Sequence, residues 1–99
     1  MISNVYMTTK DPSGFLKRLC HHFSLKIPAA YDAEKGYAAF PMGRCTMWID
    51  GDTLCLQATA ESQEKLDTVK GIVGQHVVLF GKRENLQANW QDEPTTSNE

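Results

Sequence analysis

The chain has 99 residues, 41% of them hydrophobic and 22% charged, a balance that excludes disordered and fibrous classes and suffices for one modest core. Net charge is −2, and residues 1–90 hold ten bases against nine acids, too near neutral for a nucleic-acid footprint. No apolar run approaches the roughly 18–20 residues that span a bilayer, and Met1–Tyr6 lacks a basic or apolar leader, so the expected address is the cytoplasm, with no membrane partner.

Asn4–Thr9 alternates and is β-prone. Asp11 is a helix N-cap and Pro12 suits the first helical position, so a helix is expected from Pro12 to Phe23. Phe15, Leu16, Leu19 and Phe23 form its apolar stripe. Cys20 and His22 sit on opposite borders of that stripe, and His21 faces water. Four strands follow: Lys26–Tyr31, Gly36–Phe40, Arg44–Ile49 and Thr53–Thr59, with a hairpin signal at Asp50-Gly51-Asp52. Period-two alternation puts Cys45, Met47 and Ile49 on the inward face with Leu54, Leu56 and Ala58, and puts Trp48, Cys55 and Gln57 on the other.

A second helix is expected from about Ala60–Ser62 to Phe80–Gly81, with Thr59 or Ser62 as cap. His76 falls within its apolar stripe, between Val69 and Ile72. Gly71 and Gly74 weaken this helix by roughly 1 kcal/mol each and point to close packing, a bend or an early break. Leu86–Trp90 alternates as a last strand, and Gln91–Glu99, polar and acidic with Pro94, is expected to fray. The order β-α-β-β-β-β-α-β implies an α+β two-layer sandwich over residues 1–90, a mostly antiparallel sheet with both helices on one face.

Leu19-Cys20-His21-His22-Phe23 followed by Lys26, the step Gly43-Arg44-Cys45, and His76-x-x-x-Phe80-x-x-Arg83-Glu84-x-Leu86-x-x-x-Trp90 occur in that order. Together they resemble the signatures of a bacterial family known only as domain of unknown function 2218, over about residues 5–90. That family often carries a second histidine just before the lysine, where this chain has Leu25. The resemblance implies the domain's limits and picks out residues without implying an activity.

The sharpest constellation is His22, Cys45 and His76, each on or beside the inward face of its own element. Imidazole and thiolate suit zinc, copper or iron, with a fourth position left open or filled by a weaker candidate, Cys20. The two histidines could equally grip haem iron if a large apolar pocket is present. Each residue also has a plain reading as core: a histidine bonded to backbone, a cysteine packed as a small hydrophobe. Cys20, Cys45 and Cys55 are an odd set with no CxxC pair, so reduced thiols are expected. A Cys20 thiolate could serve as a nucleophile if neighbouring bases lowered its pKa. Arg83 suits a helix C-terminus or an anionic ligand. Trp48 and Trp90 suit packing, and Asp50 and Asp52 suit the turn. No phosphate loop, dinucleotide fingerprint or GxSxG is present. The expected function is a small protein that binds a transition metal or haem through His22, His76 and Cys45. The alternative is a non-catalytic interaction module or homodimer, and a cysteine enzyme ranks third.

Overall fold

A computed structural model of the chain describes residues 1–93. The elements run β1 (Ile2–Thr8), α1 (Pro12–Ser24), β2 (Ala29–Tyr31), β3 (Lys35–Phe40), β4 (Gly43–Asp50), β5 (Thr53–Ala60), α2 (Gln63–Phe80), a short 3-10 turn at Lys82–Glu84, and β6 (Gln91–Asp92). The six strands form one antiparallel sheet in the order β2-β3-β4-β5-β1-β6. This is the expected α+β architecture, with two helices against one sheet face.

Local chemistry explains the helix boundaries. The Asp11 carboxylate accepts the Gly14 N–H at 3.0 Å and opens α1. Ser62 Oγ accepts the Lys65 N–H at 3.2 Å and opens α2. Gly81 closes α2, its N–H donating to the Val77 carbonyl. No Cβ fits there, because it would lie 2.7 Å from Leu86 Cβ and 2.8 Å from the Val77 oxygen. Gly51, with φ of 65°, supplies the left-handed residue of the two-residue turn that joins β4 to β5. Gly71 and Gly74 do not break α2, which runs unbroken through both.

The core lies between helices and sheet. Val5, Met7, Ala38, Cys45, Met47, Leu54, Leu56 and Ala58 bury from the strands, meeting Phe15, Leu16, Leu19, Cys20, Phe23, Leu66, Val69, Val73 and Val77 from the helices. Cys45 points inward as expected. Cys55 points to the opposite face yet is only 3% exposed, because its cross-strand neighbours there are Tyr6 and Trp48.

Two expected elements shift. The strand expected from Lys26 begins at Ala29, because the N–H groups of Lys26 and Ile27 both turn back to the Phe23 carbonyl. The strand expected at Leu86–Trp90 is instead Gln91–Asp92, paired to Asn4 and Ser3 of β1. Leu86, Ala88 and Trp90 do alternate with exposed neighbours, but they pack inward against the core with α2 rather than in a ladder. Gly74 is where the Trp90 indole passes closest, its Nε1 lying 3.5 Å from the position a Cβ would take. The expected fraying at Gln91 is likewise corrected through Glu93. The Glu93 N–H donates to the Ile2 carbonyl at 2.9 Å, and its carboxylate accepts Asn4 Nδ2 at 2.8 Å. The remainder of that segment, 94–99, lies outside the described residues.

Candidate ligand pocket at the histidine pair

His22, in the last turn of α1, and His76, in the last turns of α2, meet where the two helices converge. Their ring centroids are 4.8 Å apart at an interplanar angle of 49°. Three phenylalanines surround them. Phe23 lies 4.8 Å from His76, Phe80 lies 5.5 Å from His22, and Phe40 lies 5.3 Å from Phe23 in an edge-on pair. The sequence places these rings together simply. Phe23 is next to His22, Phe80 is one helical turn beyond His76, and Phe40 ends β3 on its inward face.

The pair lines a pocket of about 310 Å³ with Phe23, Lys26, Ile27, Phe40, Pro41, Met42 and Ile72. Its far lip is the two-residue turn Pro41–Met42 between β3 and β4. Small-molecule sites run from about 300 Å³ upward, so the volume suits a compact ligand and is small for a macrocycle such as haem. Among the described residues, two imidazoles and one ammonium are the ionisable groups lining it, and no carboxylate does.

His76 is oriented by its own helix. Nδ1 lies 2.7 Å from the Ile72 carbonyl oxygen. A carbonyl only accepts, so Nδ1 carries the proton and donates. The neutral ring therefore keeps its lone pair on Nε2, the nitrogen left for a ligand.

Cys45 does not join this pair. It is fully buried beneath α1, paired in register between Ala38 and Ala58, and lines no part of the pocket. Among the described residues no group of three or more His, Cys, Asp or Glu could hold a metal ion. The expected His22–Cys45–His76 set is therefore not assembled as one centre. Each side chain does face inward, but the inward face is wide. The histidines sit at the end of the helix layer where α1 and α2 meet, and there β3 and β4 present Phe40, Pro41 and Met42.

Cys20 is corrected with it. Instead of bordering the stripe it is fully buried, and its thiol donates to Met47 Sδ at 3.5 Å. Burial pushes its pKa up to about 11, and burial together with the nearby Cys20 sulfur pushes Cys45 up to about 12. Both are protonated packing residues at neutral pH, without the free thiolate that a cysteine nucleophile needs. His21 faces solvent as expected, and Leu25 is 68% exposed beside Lys26.

Glu84 is the residue whose role sequence reasoning missed. Its carboxylate accepts Thr9 Oγ1 at 2.7 Å and the Lys10 N–H at 3.0 Å, tying the end of α2 to the β1–α1 connection. Those hydrogen bonds, the Thr9 hydroxyl's foremost, hold its pKa below the ordinary carboxylate value. The pattern Phe80…Glu84-x-Leu86…Trp90 thus reads as a fastening. Phe80 walls the histidine pair, Glu84 grips β1's exit, Leu86 seals Gly81, and Trp90 covers Gly74. A glutamate four residues after a helix end was the only signal available, and its partner lies 75 positions away.

Among the described residues no helix is long and apolar enough to cross a membrane. The structure resembles the NMR structure of PA4090 from Pseudomonas aeruginosa at a TM-score of 0.74, covering 91% of this chain and 94% of that one at 21% identity, a likeness of fold. No curated protein matches the chain. Residues 5–91 match the family described as "Uncharacterized protein conserved in bacteria (DUF2218)". With nearly the whole chain matched, including all three segments that carry the resemblance, the protein belongs to that bacterial family.

Proposed function

We propose that this protein is a small-ligand carrier or sensor of the cytoplasm, and that its ligand is a compact organic anion with an apolar body. One observation carries this reading. Two imidazoles 4.8 Å apart share, with Lys26, an apolar pocket that no carboxylate lines among the described residues. The apolar part of the ligand would rest on Phe23, Phe40, Ile72 and Met42. Its carboxylate would face Lys26 and the two rings. Because Nδ1 of His76 is engaged, the ring can donate to an anion only through a protonated Nε2. Anion binding therefore takes up a proton and tightens as pH falls.

A second reading, a transition metal on His22 and His76 with ligands from solution, rests on the same hydrogen bond. A histidine that donates Nδ1–H to a backbone carbonyl presents Nε2 as metal ligands do. Metal requires the neutral ring, so its binding weakens as pH falls. The two readings have opposite signs in one titration.

Benzoate and, separately, zinc are titrated into the 15N-labelled protein at about pH 5.5 and pH 8, either side of the usual imidazole range. Saturable shifts at Phe23, Met42 and His76 with benzoate, tighter at the lower pH and lost in His76→Ala, support the anion site. Zinc shifts that grow at the higher pH, with no benzoate response, replace it with the metal reading. Equal binding by wild type and His22→Ala/His76→Ala rules out the pocket for both.

A further inference from the structure

The open face of the sheet carries a second cavity, of about 370 Å³, where β2 and β3 meet the face of β4. It is lined by Ala30, Tyr31, Asp32, Lys35, Tyr37, Arg44 and Thr46, with Gly36 between. Register explains the cluster. Tyr37 opposes Thr46 across β3 and β4 and opposes Ala30 across β2 and β3. The small Ala30 leaves room beside the ring. Arg44, two residues before Thr46, shares the open face and lays its guanidinium over the Tyr37 ring, Cζ standing 4.2 Å from the centroid.

That stack has a chemical consequence. A guanidinium whose carbon rests over an aromatic ring keeps N–H donors for other partners, and its fork of donors matches two oxygens of an oxyanion. Neither Arg44 nor Lys35 has a salt-bridge partner among the described residues, and the hydroxyls of Tyr37 and Thr46 make no hydrogen bond there. The single carboxylate lining the cavity among the described residues, Asp32, is already engaged: one oxygen accepts the N–H groups of Glu34 at 2.8 Å and Lys35 at 2.9 Å. Two cations against one acid give the cavity an excess positive charge in a protein whose net charge is −2.

We infer that this cavity is an oxyanion site and that its ligand is a phosphate monoester on a small molecule. A phosphate monoester carries about −1.5 to −2 charge and three terminal oxygens. Arg44 receives two of those oxygens, and Lys35 with the hydroxyls of Tyr37 and Thr46 receives the third. The site lies on the sheet face opposite the histidine pair and does not depend on that pocket's ligand.

Inorganic phosphate and phenyl phosphate are titrated into the 15N-labelled protein at constant ionic strength, with chloride and benzoate as controls. Saturable shifts at Lys35, Tyr37 and Thr46 are expected with both phosphates and not with chloride. Arg44→Gln should weaken phosphate binding about tenfold or more, equivalent to one or two charge-assisted hydrogen bonds. Arg44→Lys, which keeps charge and loses the fork, should remain several-fold weaker than wild type. Tyr37→Leu should weaken binding with no change in charge, and His22→Ala/His76→Ala should leave it intact. Both Arg44 variants alter an exposed side chain, so an unchanged melting curve keeps the comparison sound. Shifts that rise linearly without saturating, or equal binding by Arg44→Gln and wild type, would overturn the site. Benzoate shifting Lys35, Tyr37 and Thr46 with the affinity of phenyl phosphate would overturn the phosphate assignment.

Discussion

At the scale of single residues, burial decides which side chains can do chemistry. Cys20 and Cys45 are 0% exposed, with thiols pushed up to about 11 and about 12 by burial. The native protein should therefore react with Ellman's reagent at these two thiols far more slowly than the unfolded chain does, and the measured time course checks it. His22 and His76 are only half-buried, and one of them is already oriented by its backbone. Their inward placement was readable from helical periodicity. Their companionship was not, because it depends on where α1 and α2 converge. For Glu84, a carboxyl held below its ordinary value contributes stability above the unfolded-state value and loses it as pH falls through the folded one. Glu84→Gln should accordingly lower the melting temperature at neutral pH and flatten its decline in acid, which calorimetry at several pH values would record.

At the scale of elements, the glycines of α2 and its exit separate propensity from packing. Gly71 has nothing within 4 Å of an added Cβ, so Gly71→Ala should stabilise the protein by about 1 kcal/mol, the ordinary helix preference. Gly81 is different, since its Cβ would strike Leu86 and the Val77 carbonyl. Gly81→Ala should cost about 1–3 kcal/mol as overpacking, and urea melts of the two variants should shift in opposite directions. The sequence marks Gly81 as a helix end and Gly71 as helix interior, but not which of them has room for a methyl group. The difference appears only when the segment after α2 folds back under it. The same return explains the displaced last strand. Alternation at Leu86–Trp90 correctly reports one buried side, but period two does not say whether a strand or a helix covers it. Removing residues 91–99 would delete the β1–β6 pairing, the Lys70–Asp92 contact at 2.8 Å and the Asn4–Glu93 bond. A melting temperature lower by roughly 5–10 °C is the expected result.

At the scale of the whole molecule, the thiols buried in the shared core link stability to alkaline pH. Both folded values are raised, so the folded state retains protons that the unfolded chain releases from about pH 9 upward. Stability contributed by the neutral thiols is intact below that pH and is lost progressively towards pH 12, by on the order of a few kcal/mol at about 1.4 kcal/mol per unit. Urea unfolding at pH 7 and pH 10.5 tests this, with the midpoint expected to fall. The molecule also keeps one sheet face open, and the rows Trp48–Cys55–Tyr6 and Tyr37–Thr46–Gln57–Asn4 cross it.

Composition, caps and periodicity determined the element order, the antiparallel hairpins and the inward or outward sense of nearly every side chain, because each of those depends on residues within a turn or two of one another. Which inward residues become neighbours was decided by tertiary structure alone. The angle at which α1 and α2 converge joins His22 to His76 and leaves Cys45 under α1. The return of the chain after Gly81 sends Glu84 to Thr9. Such contacts span tens of residues and depend on how whole layers are placed, a quantity that no local pattern in the chain encodes.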